Sequence, residues 1–353
     1  MDFGFHCGVY STLHTDAAVA EEHGFTHALL YDSQMLYGDV YAGLCLCATH
    51  TKKLKLGPGV TNPSSRISPT TASAMATVNL FAPGRAVLGI GTGNSTRRAM
   101  GMPAARLADL REHVEVCRGL LSGQQVVYRE GDRRRTIRFL NPEGTLNTRD
   151  RIPIYVSAAG PKALELAGEI GDGVILWGVS DESLIKYHLE HVRRGAEKAG
   201  KRFEDLYVVC MTGFHVTRPG ESLESVRNAV GYMAISGLNL IALSCRDNPD
   251  VLPARFRDDI MGTLEAYRTP GESVEKRHLE RYLEYGASLQ KLHETLATEK
   301  LIKATTITGS PEECVETIKR MELAGVHQVT IQAGAANQRQ NLLTFANDII
   351  GRY

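Results

Sequence analysis

The feature that most restricts how this chain can fold is a regular alternation of short apolar runs with longer amphipathic stretches. Runs begin near residues 3, 28, 56 and 88, and again near 155, 175, 210 and 330. Between them lie segments with helical patterning: Thr15–His23, Asp39–His50, Pro69–Phe81, Arg106–Leu121, Pro161–Ile170, Asp181–Ala199, Pro311–Ala324 and Gln338–Ile349. Strands separated by helices form parallel βαβ units. Eight such strands predict an α/β fold, a (β/α)8 TIM barrel, rather than a doubly wound sheet of five or six strands.

Two segments interrupt the rhythm. Residues 124–140 place Val126-Val127-Tyr128 and Thr136-Ile137-Arg138-Phe139 around the turn-like Glu130-Gly131-Asp132, the pattern of an inserted β-hairpin. Residues 219–303 are polar and helix-rich, with one strand-like run at Leu238–Leu243. They are too long for a connection and read as a helical insertion before the last βα unit. The chain is thus expected to form one domain over 1–353 with insertions at 124–140 and 219–303.

Composition narrows the class of function. The charge is balanced, with 40 basic and 40 acidic residues, which argues against a general nucleic-acid or acidic-membrane surface. No apolar run was expected to span a bilayer, and the first residues do not read as a leader, so a cytoplasmic protein is expected. The seven cysteines show no CxxC, and no HExxH or similar metal spacing occurs, so no metal site is expected.

The chemistry-bearing residues cluster where strands end, at the catalytic face of such a barrel. Gly57-Pro58-Gly59-Val60-Thr61-Asn62-Pro63 follows the third strand with two glycines and two prolines, a restricted path of the kind found at ligand clamps. Gly91-Thr92-Gly93 follows the fourth strand. It lacks the third glycine of a dinucleotide fingerprint and opens no helix in the pattern, but permits close backbone approach to a planar ligand. Ala158-Ala159-Gly160-Pro161 leads into a helix whose first amides suit a phosphate, with Lys162 nearby. His6 alternates with Phe3 and Phe5 and is expected to point into the barrel near its mouth. Asp32, Asn94 and Trp177 also follow strands, and with His6 the first two make the candidate catalytic set.

In this order the motifs resemble the bacterial luciferase-like superfamily of flavin-type oxidoreductases. The resemblance rests on Ala20-Glu21-Glu22-His23-Gly24-Phe25, Leu56–Pro63 with Arg66 and Pro69, Pro83–Gly93, Ile152–Val156 with Ala158–Pro161, Gly171-Asp172-Gly173, and Gly309–Glu313 with Ala324-Gly325-Val326. It implies a flavin ring at the barrel mouth, held by Gly59, Val60, Thr61, Asn62, Gly91, Thr92, Gly93, Ala158, Ala159, Gly160 and Trp177, and a homo-oligomer, usually a dimer, packed through barrel helices. The loops are most similar to those of the methylenetetrahydromethanopterin reductase branch, which uses the deazaflavin coenzyme F420. That similarity implies a cis peptide at Gly59-Val60 and a cofactor phosphate at Ala158-Ala159-Gly160. His6 stands where that branch has a functional glutamate, Asn94 replaces an acid common after Gly93, and Asp32-Ser33 replaces the Asp-His of many deazaflavin dehydrogenases.

Three readings follow. Reduced FMN, supplied by a separate flavin reductase, supports an oxygen-using monooxygenase acting on a small organic molecule. Alternatively, F420 exchanges hydride with a substrate. In both, the chemistry belongs to the cofactor and His6 moves a proton. The third is a catalytically silent flavin-binding homologue. The replaced acids favour the FMN monooxygenase, while the loop similarity pulls toward F420.

Overall fold

The computed structural model describes residues 1–266, 296–332 and 337–353. Eight parallel strands form the barrel: β1 (Asp2–Cys7), β2 (His27–Leu30), β3 (Lys55–Pro58), β4 (Leu88–Ile90), β7 (Ile154–Ser157), β8 (Gly173–Trp177), β9 (Tyr207–Val216) and β11 (Gln328–Gln332). They hydrogen-bond in the order β3-β2-β1-β11-β9-β8-β7-β4. The remaining seam between β3 and β4 is closed by single bridges, Leu56 to Ala86 and Thr61 to Ile90. All eight lie where the alternation of the sequence places them.

The helices between strands are α1 (Leu13–Glu22), α2 (Val40–His50), α3 (Ser68–Phe81), α4 (Asn94–Arg98), α5 (Leu107–Leu121), α6 (Pro161–Ile170) and α7 (Glu182–Lys198). Their starts follow local chemistry. Asp39 caps α2 by accepting from the Tyr41 and Ala42 amides, and Asp181 caps α7 through the Ser183 amide. Pro69 occupies the first turn of α3. The start expected at Thr15 falls two residues earlier, at Leu13, because the Thr15 hydroxyl donates to the Thr12 carbonyl instead of capping.

Two side-chain populations separate across the strands. Phe3 and Phe5 face outward, edge-on to Phe345 and Phe25 respectively. Each ring buried in this way is worth about 1.5–3 kcal/mol. The inward set is Leu29, Val87, Tyr155, Ile175, Val209 and Met211, capped toward the mouth by Tyr31, Val60 and Trp177. Alternation at a period of two produces this division.

The two segments that interrupt the rhythm carry elements of their own. Residues 126–130 (β5) pair antiparallel with 133–137 (β6), the expected hairpin. The second insertion contains α8 (Leu223–Cys245), α9 (Arg257–Ala266) and α10 (Glu299–Thr305), and its residues 267–295 lie outside the described set. The strand-like run Leu238–Leu243 is helical, inside α8. Its neighbours at Val226, Val230, Ala234, Leu238, Ile241 and Cys245 recur at helical spacing and are buried, a pattern that six apolar residues alone do not reveal. By length and composition α8 is apolar enough to cross a membrane, contrary to expectation, but 61% of its most apolar window is buried inside the fold. It is a core helix. After α10, β10 (Thr306–Gly309) pairs with the outer half of β9, Gly213–Val216, and α11 (Pro311–Leu323) leads to β11 and α12 (Gln338–Asp348). Ser310 and Glu313 start α11 with a reciprocal capping box.

Candidate active site

The mouth at the strand C-termini gathers most of the residues expected there. His6, one residue before the end of β1, is completely buried. Its Nδ1 lies 2.5 Å from the Tyr31 hydroxyl, its ring centroid lies 5.4 Å from that of Trp177, and its Nε2 is a buried nitrogen without a hydrogen-bond partner. Burial pushes the imidazole down to about 3, opposed only by the nearby Thr212 backbone, so His6 is neutral at physiological pH.

Asp32 lies two residues beyond β2 and is also buried. Its Oδ2 accepts from the Thr61 hydroxyl at 2.6 Å, and its carbonyl accepts from the Thr96 hydroxyl at 2.7 Å. Burial raises the carboxyl above the ordinary range, while the Thr61 hydrogen bond and the Arg66 charge oppose the shift. Arg66 is itself ion-paired with Asp39 and sits 4.8 Å over the Tyr41 ring. A carboxyl with a raised pKa holds its proton more tightly in the fold than in the unfolded chain. Its charged form therefore costs stability above that pKa, and the cost vanishes as pH falls into the carboxylate range. Asp32→Asn retains an acceptor for Thr61 without the charge. It is expected to raise the melting temperature at pH 7.5, with the gain shrinking toward pH 4. A lower melting temperature at pH 7.5 would show that the carboxylate is fully compensated.

The third loop has a cis peptide between Gly59 and Val60. Val60 is half-buried and faces the interior cluster, whereas the Thr61 and Asn62 side chains turn away into the protein. Asn62 accepts from the Ser64 and Ser65 amides and donates to the Ser65 hydroxyl, so its side chain builds the turn. Gly93 has φ +79° and packs against Asn62, where a Cβ would come within 2.8 Å of the Asn62 Cγ. Contrary to the sequence pattern, a short helix, α4, opens directly after it at Asn94, which is half-buried. The left-handed glycine lets the chain turn into a helix without delay.

Ala158-Ala159-Gly160 ends at α6, whose first turn has no side-chain cap. Its early amides are therefore available to an anion, and Lys162 is exposed beside them. The second insertion closes over this side. A Cβ on Gly160 would lie 2.4 Å from the Ser244 Cβ of α8, and one on Gly178 (φ +62°) 3.0 Å from the Gly237 Cα. Trp177, half-buried at the end of β8, faces His6 across the interior.

Three further polar side chains have structural partners. Arg97 donates to the Pro103 carbonyl, His215 pairs with Glu221 at 3.0 Å, and Asp172 binds Arg118, Arg151 and the Ile154 amide. No cluster of three metal-ligating side chains occurs among the described residues. Tyr31 and Thr96 were not singled out from sequence. Tyr31 closes a uniformly apolar run in the sequence, which hides which face it takes.

The mouth of this parallel barrel thus combines glycine-rich third and fourth loops with an uncapped helix start after the fifth barrel strand. The family described as luciferase-like monooxygenase matches residues 9–328, and the chain belongs to it as a luciferase-like oxidoreductase. It is 29% identical over 338 residues to a 5,10-methylenetetrahydromethanopterin reductase of Methanolobus tindarius, covering 95% of this chain and 94% of that protein. It is 31% identical over 328 residues to the enzyme of the same name in Archaeoglobus fulgidus, covering 91% and 89%. Among solved structures, the coenzyme F420 dependent tetrahydromethanopterin reductase of Methanopyrus kandleri superposes with a TM-score of 0.72 at 24% identity, covering 100% of this chain and 99% of that one.

Proposed function

We propose that this protein is an F420-dependent oxidoreductase that exchanges hydride with a small organic substrate at the barrel mouth. The observation that carries this reading is similarity along nearly the whole chain to methylenetetrahydromethanopterin reductases. Relatives named F420-dependent glucose-6-phosphate dehydrogenase, such as that of Nocardia farcinica at 27% identity over 95% of this chain, support it further. Monooxygenase names occur among structural neighbours at 18% identity or less, a likeness of fold alone. The deazaflavin reading therefore replaces the FMN monooxygenase favoured by the sequence.

The residues present fit such a cofactor. The uncapped start of α6 and Lys162 offer amides and a charge to a phosphate, and the glycines of the third and fourth loops bring backbone close together at the mouth, with Val60 packed against Gly91. When bound, the deazaflavin supplies a carbon that gives or takes hydride. The protein supplies orientation and a dry floor of Tyr31, Val60 and Trp177 over the apolar interior.

Anaerobic turnover tests the reading. Oxidised F420 is offered with glucose 6-phosphate or isopropanol, and reduced F420 with methylenetetrahydromethanopterin, following absorbance of the cofactor. Hydride exchange with at least one is expected. Oxygen uptake with reduced FMN, and no exchange with any F420 pair, would restore the monooxygenase reading.

A further inference from the structure

One row of polar side chains on β11 faces into the barrel. A Cβ on Gly4 of β1 would lie 2.7 Å from the Gln328 Nε2 and 2.8 Å from the Thr330 Oγ1, which places both inside. Gln332, two residues further on, takes the same face and pairs in register with His6. Gln328 and Thr330 are buried and paired, the Gln328 amide donating to the Thr330 hydroxyl at 2.6 Å. Gln332 is half-buried at the mouth end of the strand, and no described residue hydrogen-bonds its side-chain amide. The inward groups around it at the strand ends are uncharged: His6 is neutral, and Val60, Ser157 and Trp177 carry no charge. The Asp32 carboxyl is engaged by the Thr61 hydroxyl.

We propose that Gln332 is a specificity-determining residue that hydrogen-bonds the oxygen on the substrate's reacting carbon, and that the substrate is an alcohol–carbonyl pair, uncharged at that end. The reason is the two-sided chemistry of an amide. When an alcohol is oxidised, its carbon gives hydride to the cofactor and its oxygen gives a proton to water, leaving a carbonyl. The alcohol both donates and accepts, whereas the carbonyl only accepts. The Gln332 oxygen accepts from the alcohol, and its NH2 donates to either partner. A substrate carboxylate at this depth would find no opposite charge among these groups, a costly burial. The substrate class rests on the hydride-transfer reading; the unpaired amide facing the mouth does not.

Placement is tested in the ligand-free full-length protein with Gln332→Cys and Thr330→Cys, treated with methyl methanethiosulfonate and read by peptide mass spectrometry. Six of the seven native cysteines are buried and Cys45 is half-buried. The thiol introduced at 332 is expected to react faster than any native one, and that at 330 only after unfolding. Equal, slow reaction at both positions in folded protein overturns the proposal. With whichever alcohol exchanges hydride, and its carbonyl product in reverse, Gln332→Leu is expected to raise KM on the order of tenfold with the Kd for F420 unchanged. Gln332→Glu keeps an acceptor and loses the donor, so its KM should rise more for the carbonyl than for the alcohol. An unchanged KM in Gln332→Leu, or an equal loss of F420 affinity, contradicts the assignment. Exchange with methylenetetrahydromethanopterin but with neither alcohol refutes the substrate class and leaves the F420 reading standing. Absence of F420 binding by the wild type refutes that reading and the substrate class with it, and the thiol rates then decide the placement of the amide.

Discussion

Lowering the pH from 6 to 5 is expected to remove about 5 kcal/mol of stability. Burial holds four histidines neutral in the fold, pushing His6 down to about 3 and His27, His113 and His188 to about 4 each. In the unfolded chain each titrates near its ordinary value of about 6.5. Below that pH the unfolded state binds protons that the folded state refuses, so the stability these groups confer is complete above pH 6.5 and is lost as pH falls toward 4. Each contributes about 1.4 kcal/mol per pH unit in that window, and four give the loss stated. Since whole domains are stable by only about 5–15 kcal/mol, unfolding should follow within one to three pH units. Urea midpoints at pH 7.5, 6.5 and 5.5 check this, with proton uptake on unfolding rising from about two at pH 6.5 to between about three and four at pH 5.5. A flat midpoint across that range would show that the buried rings are protonated and paired.

The seam between β3 and β4 is the second place where a small change should have a large effect. It has two bridges and no continuous ladder, and glycines stand on both sides. A Cβ on Gly57 would lie 1.9 Å from the Val87 carbonyl oxygen, and one on Gly89 would lie 2.2 Å from the Pro58 carbonyl oxygen. Neither oxygen is a movable side-chain end, so the strands themselves must separate. Gly57→Ala is expected to cost more than about 3 kcal/mol, since overpacking against backbone in a closed barrel cannot relax locally. The displaced backbone would carry Gly59 and Val60 with it, so cofactor affinity should fall as well. Gly262→Ala is the matched control: no atom crowds a Cβ there, and within α9 the change should add about 0.5–1 kcal/mol. Chemical denaturation of both variants settles the point, and equal stability would mean that the seam is more open than its contacts indicate.

The barrel was legible because period-two alternation and helical periodicity differ so clearly along most of the chain. The same alternation put His6 on the inward face opposite Phe3 and Phe5. Legibility ended where one signal has two structural meanings. Leu238–Leu243 is too short to separate strand from buried helix, and only the spacing across all of α8 resolves it. The Thr15 hydroxyl can cap a helix or bond within one, and nothing local decides between them. At the site, residue type indicated polarity but not depth. Thr61 and Asn62 sit in the expected loop, yet their side chains are consumed by Asp32 and by the Asn62–Ser65 turn. The His6–Tyr31 hydrogen bond joins residues 25 apart on two strands, which no local pattern reveals. The choice between flavin and deazaflavin was hidden for a similar reason, since both rings need the same glycine-rich mouth.

The central claim, that this mouth is a deazaflavin site, is tested most directly by equilibrium titration of the full-length protein with oxidised F420 and, separately, with oxidised FMN, following the quenching of cofactor fluorescence. Saturable binding of F420, with FMN binding at least about tenfold (1.4 kcal/mol) weaker, is the predicted result. Saturable FMN binding without detectable F420 binding would contradict it.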